Sequence, residues 1–264
     1  MKITYLTDYK QFNRDNLTIA LGYFDGVHLG HKKVIEKAIR LSKETSTKSI
    51  VLTFSSSIKS FIFNTKEEHL TSINDKVEIF KKLGIDEVIF INLNDEFVKL
   101  SYMEFFDIFL RKAKNVVCGF DYTFGNLGKG NVSILKELLS DRVSVIPKLE
   151  LNGIKVGAKE ISSQIKAGNL ELSERYLGHK YLIDGKLYKR NKYFALNTQD
   201  YVVPKNGYYI IEFMSNGSVK DIKAKIKLID PSNGILLRET DNSVLENLFK
   251  ESNKFRIHFK EIDK

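Results

Sequence analysis

Two histidines stand three positions apart in a glycine-rich stretch near the start of the chain, at His28 and His31. An apolar run ends just before this stretch, and a helical pattern of apolar residues begins near Gly30. Glycines let the backbone approach a ligand closely, and a helix N-terminus presents free N–H groups and a positive dipole end to an anion. The stretch therefore predicts a phosphate site at a strand-to-helix junction, where the two imidazoles add hydrogen-bond donors.

Two other interpretations of this stretch stay open. Histidines this close can share a metal ion, although a site needs roughly three or four ligands and no third candidate stands nearby in the sequence. The stretch can also be a structural turn, in which the histidines are incidental. Asp25 in particular can bond the turn backbone through its side chain instead of contacting a ligand.

The composition indicates a soluble globular protein. The chain has 264 residues, of which 42% are hydrophobic, enough for one large or two small domains. No apolar run approaches the roughly 18 residues of a membrane helix, and the first residues lack a signal-peptide core. The single cysteine, Cys118, precludes an internal disulfide. We therefore expect a cytoplasmic protein with no membrane partner.

The charge is strongly basic, with a formal net charge of +9. Such a charge is one mark of nucleic-acid binding. Here the lysines are scattered among carboxylates and apolar residues, and no compact basic cluster contains interleaved aromatic residues. We therefore expect no nucleic-acid partner, and a modest positive field that helps to gather anionic nucleotides.

Short apolar runs alternate with amphipathic helices over residues 1–180, which is typical of a parallel sheet with crossover helices. The predicted strands are Leu17–Leu21, Ser49–Phe54, Glu87–Ile91, Asn115–Gly119 and Arg142–Ile146. The predicted helices are Gly30–Ser42, Asp75–Leu83, one that begins at Ser101 with a capping box to Glu104, and Val132–Leu139. Ligands bind beyond the carboxyl ends of the strands in such sheets, which is where the histidine stretch falls.

A second loop also follows a predicted strand, from Gly119 to Asn131. It is rich in glycine and aromatic residues, and a loop of this length is costly to order without a role. It can be an ordinary surface loop. Its position favours a second substrate site, with aromatic rings for a flat ligand and Asp121 for a polar contact.

Both loops resemble signatures of the bacterial FAD synthetase family. Residues 22–31 match every fixed position of its first pattern, which is Gly, one residue, Phe-Asp-Gly-Val-His, one residue and Gly-His. The second loop keeps four fixed residues and has Tyr122 where the family has Phe; the four are Gly119, Asp121, Phe124 and Gly125. Leu70-Thr71 and Asp75-Lys76 also resemble family landmarks.

The resemblance implies a Rossmann-like α/β nucleotidyltransferase domain over residues 1–180 that makes FAD and pyrophosphate from FMN and ATP, with Mg²⁺ accompanying ATP. It implies that His28 and His31 are catalytic. The ATP-binding residues that it implies are Gly22, Phe24, Asp25, Gly26, Gly30, Ser162, Ser163 and Lys166. The FMN-binding residues that it implies are Asp121, Tyr122, Phe124 and Gly125.

The chain departs from the family pattern in two places. After Ile161-Ser162-Ser163 it lacks the family's Thr and phosphate-binding Arg, and Lys166 is the nearest cation. After Thr53-Phe54 it has Ser55–Ser57 where the family has Pro-His-Pro. These departures keep open a flavin- or nucleotide-binding protein that no longer catalyses. Another nucleotidyltransferase with His-x-Gly-His is a further alternative, distinguished by whether it has the second loop.

Residues 181–264 are predicted to form a small antiparallel β-barrel, since Gly207–Phe213, Asp221–Ile229 and Lys254–Lys260 read as strands with buried faces. This segment resembles the riboflavin kinase barrel of bifunctional family members. The best match to the family's Gly-Phe-Pro-Thr-Ala-Asn motif is Tyr193–Asn197, which lacks the Pro and Thr. We therefore expect riboflavin kinase activity to be lost or weak, and the oligomeric state stays open.

Overall fold

The computed structural model of the protein describes residues 1–65, 68–190, 193–198, 200–215, 218–230, 234–238 and 240–262. The chain divides into two compact units. The first unit comprises Met1–Glu67 and Ile73–Val156, and the second comprises Glu68–Ser72 and Gly157–Lys264. In the described ranges, no helix is both long enough and apolar enough to cross a membrane.

The first unit is an α/β sandwich built on a parallel sheet. Its strands are β1 (Lys2–Leu6), β2 (Leu17–Leu21), β3 (Lys48–Phe54), β4 (Glu87–Ile91), β5 (Asn115–Gly119), β6 (Thr123–Phe124), β7 (Gly130–Asn131), β8 (Val143–Ile146), β9 (Glu150–Leu151) and β10 (Ile154–Lys155). Its helices are α1 (Leu29–Glu44), α2 (Ile58–Phe63), α3 (Ile73–Leu83), α4 (Asp95–Val98), α5 (Tyr102–Phe105) and α6 (Val132–Leu139). Six strands form the parallel sheet in the order β1-β4-β3-β2-β5-β8.

The sheet is covered on both faces, so its central strands are apolar throughout. Every residue of β2 and of β4 is buried, as parallel strands under two helical layers require. One face packs against the aromatic residues Phe105, Phe106 and Phe109, and the other against Ile35 of α1 and Phe80 of α3. The strand order reverses between β2 and β5, which opens a crevice at their carboxyl ends.

The five predicted strands of this sheet and its predicted helices are confirmed, with bounds that shift by one or two residues at several ends. Two details differ from the sequence prediction. The edge strand β1 was not predicted, because its exposed Ile3 and Tyr5 give it no clear buried face. The helix capped by Ser101 and Glu104 changes after α5 into a wider turn over Phe106–Leu110, although the capping box itself is confirmed.

The second unit is a closed barrel preceded by a helix pair. The helices are α7 (Ala158–Ala167) and α8 (Leu170–Leu177), and α9 (Asn242–Glu251) follows later in the chain. The barrel order is β11-β12-β15-β14-β13-β16, and these strands are β11 (Leu182–Arg190), β12 (Tyr193–Asn197), β13 (Gly207–Ser215), β14 (Ser218–Asp230), β15 (Gly234–Arg238) and β16 (Lys254–Glu261). The predicted antiparallel barrel is confirmed.

A buried ionic cluster fastens α8 to the barrel. His258 of β16 is 4% exposed, and its ring nitrogens bond Glu174 of α8 at 2.7 Å and Glu212 of β13 at 2.6 Å. Burial alone would lower the pKa of His258, but the two carboxylates outweigh burial and raise that pKa. Lys260 also pairs with Glu212. The helix pair is therefore part of the barrel unit, and the compact units divide before Gly157, earlier than the predicted functional boundary at 180/181.

A short segment that precedes α3 in the chain also belongs to the second unit. His69 donates its backbone N–H to the carbonyl of Asp200 at 2.8 Å, and its own carbonyl accepts the N–H of Val202 at 3.2 Å. The ring of His69 lies 4.3 Å from that of Tyr201. Residues 68–72 thus add a short parallel bridge to the barrel unit.

Glu87 is a buried carboxylate at the amino end of β4, opposite the crevice. Its side chain is fully buried and accepts hydrogen bonds from Lys48 at 2.8 Å, Arg14 at 2.8 Å and Thr4 at 2.7 Å. Burial alone would raise the pKa of Glu87, but these donors outweigh burial and lower that pKa to about 2. The amino ends of the strands are therefore joined around one ionised group.

We predict that Glu87→Gln destabilises the protein by about 2–3 kcal/mol at pH 7, because Lys48, Arg14 and the more distant Lys2 lose the negative charge that they share. The folded pKa lies below the unfolded one, so this stability is present above about pH 4.5 and is lost as the pH falls toward 2. Urea unfolding at pH 7 and pH 3 measures both effects. Glu96→Gln, which removes the exposed partner of Lys10, is the control and should leave the midpoint nearly unchanged. An equal effect of the two variants would contradict the assignment.

Candidate functional site

The turn after β2 has a left-handed backbone. Phe24, Gly26 and Val27 have φ angles of 56°, 75° and 37°. Glycine adopts such angles readily, but for a β-branched residue such as Val27 they are a genuine outlier. The ring of Phe24 is 1% exposed and lies against Gly22, where an added Cβ would approach it to 2.9 Å. Core packing therefore fixes this turn and requires glycine at position 22.

The two histidines stack at the N-terminus of α1. Their ring centroids lie 3.6 Å apart with 20° between the planes, and the edge of Phe24 contacts His31 at a centroid distance of 5.2 Å. His28 is the N-cap residue, and its Nδ1 accepts the backbone N–H of His31 at 3.3 Å. Since Nδ1 is the acceptor, the proton of a neutral His28 ring resides on Nε2. The Nδ1 atom of His31 is buried without a hydrogen-bond partner.

Both imidazoles are neutral at physiological pH. Burial lowers the pKa of His28 to about 4, with the charge of Asp121 opposing the shift and that of Lys155 adding to it. Burial also lowers the pKa of His31 well below its usual value, and His28 and Lys76 lower it further. The pair therefore acts through hydrogen bonds at neutral pH, while the N-terminus of α1 supplies the positive potential for an anion.

The loop after β5 is anchored in the core and exposed at its tip. Phe124 is 5% exposed and packs against Phe105, with the ring of Tyr122 stacked 6.0 Å away from it. Gly125 has a φ of 70°, and a Cβ there would lie 2.6 Å from the backbone of Tyr102. Phe120 and Leu127, by contrast, are exposed. Among the predicted flavin-binding residues, Phe124 is thus a buried core residue that anchors the loop.

Three segments of the first unit meet beside His28. Lys155 of β10 bonds the Asp121 carboxylate at 2.7 Å and lies 4.7 Å from the centre of the Phe120 ring. A Cβ on Gly30 would lie 3.2 Å from the His28 ring and 3.8 Å from the Val156 carbonyl. The histidine turn, the loop after β5 and the β9–β10 hairpin are therefore adjacent at the carboxyl edge of the sheet.

The remaining predicted residues lie in two places. Asp25 and Gly26 belong to the turn itself, with Gly26 buried and Asp25 half-buried. Ser162, Ser163 and Lys166 lie within α7 of the second unit, beyond its first turn, and Lys166 forms an ion pair with Glu68. Ser162 is half-buried, while Ser163 and Lys166 are exposed. Their contact with ATP stays a prediction from the sequence.

Lys155 and Lys76 are candidate residues that the sequence prediction missed. Lys155 lies on β10 of the β9–β10 hairpin, but nothing in its sequence neighbourhood indicates a partner. Lys76 belongs to the Asp75-Lys76 pair that resembles a family landmark, and it stands four residues before Phe80 on the apolar side of α3. Neither signal assigned it a role in the site. Across the described residues, no three His, Cys, Asp or Glu side chains are grouped so that they could hold a metal ion.

We predict that the imidazole of His28 titrates with a midpoint of about 4, because burial disfavours its charged form. His258 should titrate above 6.5, because two carboxylates hold its proton. Histidine-selective ¹³C NMR between pH 3 and pH 9 measures both midpoints, with His28→Gln and His258→Gln used for assignment. A His28 midpoint near 6.5 would contradict a desolvated site.

The sequence is similar to that of named bacterial enzymes. It is 32% identical over 217 residues to the bifunctional riboflavin kinase/FMN adenylyltransferase of Listeria monocytogenes serovar 1/2a, covering 76% of this chain and 69% of the relative. The protein of the same name in Bacillus subtilis strain 168 is 31% identical, covering 76% and 68%. A second L. monocytogenes protein, named FAD synthetase, is 25% identical, covering 79% and 86%.

The fold is similar to a solved structure along nearly its whole length. A crystal structure titled macrolide-efflux protein from Streptococcus pneumoniae matches with a TM-score of 0.77 and 20% sequence identity, covering 98% of both chains. At this identity the similarity concerns the fold alone. The model of the FAD synthetase family matches residues 10–162, which include β2, the histidine turn, the loop after β5 and the β9–β10 hairpin. The chain belongs to the FAD synthetase family.

Proposed function

We propose that this protein transfers the adenylyl group of MgATP to FMN, yielding FAD and pyrophosphate. The observation that carries the proposal is the pair of stacked, desolvated imidazoles at the N-terminus of α1, beyond the carboxyl end of a central strand. Membership of the FAD synthetase family supports FMN as the acceptor. The loop after β5, adjacent to His28, supports a second substrate beside the phosphate site.

The reaction is a displacement at phosphorus. A phosphate oxygen of FMN attacks the α-phosphorus of ATP, and the bond from that phosphorus to the bridging β-phosphate oxygen breaks. Pyrophosphate leaves with the electron pair of the broken bond, and a new P–O–P linkage forms. Such a step depends on in-line alignment of the reactants and on stabilisation of the charge that develops.

His28 and His31 serve as the catalytic residues of this proposal. The Nε2–H of His28 donates to a phosphate oxygen, since its Nδ1 is occupied by the backbone N–H of His31. The buried Nδ1 of His31 lacks a partner, which costs about 1–3 kcal/mol and is offset when a ligand or water reaches it. The backbone of Gly22, Phe24, Asp25, Gly26 and Gly30 lets the polyphosphate approach closely. Mg²⁺ would accompany ATP as part of the substrate and would offset part of its negative charge.

The loop after β5 holds FMN in this proposal. The ring of Tyr122, supported by the buried Phe124, faces the flavin, and Gly125 allows the tight turn between them and α5. Asp121 provides the polar contact, and Lys155 balances its charge beside His28.

We further propose that the second unit has lost riboflavin kinase activity. Tyr193–Asn197, the best match to the kinase motif, is strand β12, in which Phe194, Ala195 and Leu196 are almost fully buried. These three buried apolar side chains, at the positions that follow Tyr193, offer no hydroxyl to a magnesium-bound phosphate. Glu246 on α9 of this unit is held in an ion pair with Lys189, so its carboxylate is not free for kinase chemistry.

We predict that purified protein converts FMN and MgATP to FAD and pyrophosphate, and that it produces no FMN from riboflavin and MgATP. Separation of the flavins by chromatography measures both reactions in parallel. FMN formed from riboflavin would contradict the loss of kinase activity. Tight binding of FMN or ATP without pyrophosphate release would identify a binding protein, and would contradict the proposed transfer.

We predict that His31→Ala lowers kcat/KM for MgATP at least tenfold, about 1.4 kcal/mol of transition-state stabilisation or more. The thermal midpoint should change little, because an alanine at this half-buried position keeps the helix. Initial rates of pyrophosphate release measure the effect, and Lys33→Ala, an exposed change on α1, is the matched control. Unchanged turnover in folded His31→Ala would refute the assigned role.

A further inference from the structure

Lys76 is a buried cation at the base of the histidine turn. Lys76 is only 2% exposed. It lies in the first half of α3, one turn before the fully buried Phe80. Lysine is almost never fully buried unless its charge has a use or a partner. A cation in this position costs folding free energy, so its contacts indicate what it does.

The ammonium of Lys76 contacts the residue at which the chain leaves β2. Nζ donates to the carbonyl of Tyr23 at 3.1 Å and lies 4.0 Å from the centre of the Tyr23 ring. The hydroxyl of Thr53 at the end of β3 donates to the same carbonyl, also at 3.1 Å. Two donors from two different elements therefore hold the peptide that immediately precedes the left-handed backbone.

The charge of Lys76 acts on the site as well as on the backbone. Burial lowers its pKa to about 8, and the nearby carboxylate of Asp25 opposes that shift. Lys76 in turn lowers the pKa of His31, so the ammonium and the imidazole lie within electrostatic range of each other. At neutral pH Lys76 is thus mostly protonated, and its positive charge acts on the neutral His31.

We propose that Lys76 is a positioning residue for the nucleotide: it holds the histidine turn through the Tyr23 carbonyl and supplies a fixed positive charge behind His31, directed at the polyphosphate. This inference rests on the proposed adenylyl transfer. A charge fixed by the fold before substrate arrives needs no reorganisation during the reaction, which makes it effective where negative charge develops. In this proposal the neutral imidazoles donate oriented hydrogen bonds to the phosphates, and Lys76 supplies the positive charge.

Two variants separate the charge from the hydrogen bond. Lys76→Met removes both, whereas Thr53→Val removes the other donor to the same carbonyl and no charge. We expect Lys76→Met to lower kcat/KM for MgATP at least tenfold and to weaken MgATP binding in equilibrium dialysis. Thr53→Val should lower kcat/KM less than threefold. Lys82→Met, an exposed change on the same helix, is the matched control and should behave as the wild type.

The pH profile distinguishes a charge from a packing role. Above about pH 8 Lys76 loses its proton, so kcat/KM of the wild type should fall there. Lys76→Arg keeps a charge at all accessible pH values, so its kcat/KM should not fall above pH 8. For Lys76→Met we expect a low kcat/KM that does not change with pH over this range. Asp25 and His31, which face Lys76, are unchanged in these variants. The wild-type profile needs no variant, so it tests the proposal even if Lys76→Met does not fold.

Three results would overturn the inference. One is a folded Lys76→Met protein with wild-type kcat/KM and MgATP affinity. Another is an equal loss in Thr53→Val and Lys76→Met, and the third is a wild-type profile that is level through pH 8–10. If the wild type makes no FAD, the proposed function fails, but the MgATP affinities of the variants still test Lys76. A wild type that binds no MgATP would overturn both.

Discussion

The candidate site depends on the left-handed backbone conformation of the turn between Tyr23 and His28. The chain leaves a buried central strand there and enters α1 within a few residues, through a backbone that costs on the order of 1–3 kcal/mol at a residue such as Val27. Such a conformation persists only when its surroundings determine it. Here the ring of Phe24 fills the space beside Gly22, and two donors fix the carbonyl of Tyr23. The orientation of the histidines is thus set by the core.

Much of the fold could be predicted because its determinants are local. The central strands are short apolar runs, and capping residues such as Ser101 mark helix starts in the sequence itself. The edge strand β1 escaped prediction because an exposed edge has no strict alternation. The grouping of α7 and α8 with the barrel was also not predictable, since it depends on Glu174 meeting His258, which is 84 residues away.

The candidate site was predictable only in part, for a similar reason. Glycines and paired histidines form a contiguous pattern, so the turn could be recognised from the residues themselves. Lys76 and Lys155 reach the site from a helix and a hairpin that are distant in the sequence, and a lone lysine carries no local mark of its partner. The neutrality of the imidazoles is likewise a product of burial, and burial arises from packing that no spacing rule encodes.

Because residues 68–72 belong to the second unit, cleaving the chain at a single peptide bond cannot separate the two units. It lies between two stretches of the first unit, yet His69 shares its two backbone hydrogen bonds with Asp200 and Val202 of the second. The covalent chain therefore passes between the units at 67/68, at 72/73 and at 156/157. A barrel excised at residue 157 would expose the backbone edge that His69 covers. Transfer of this barrel to another protein would therefore leave the carbonyl of Asp200 and the N–H of Val202 without these partners unless residues 68–72 were transferred with it.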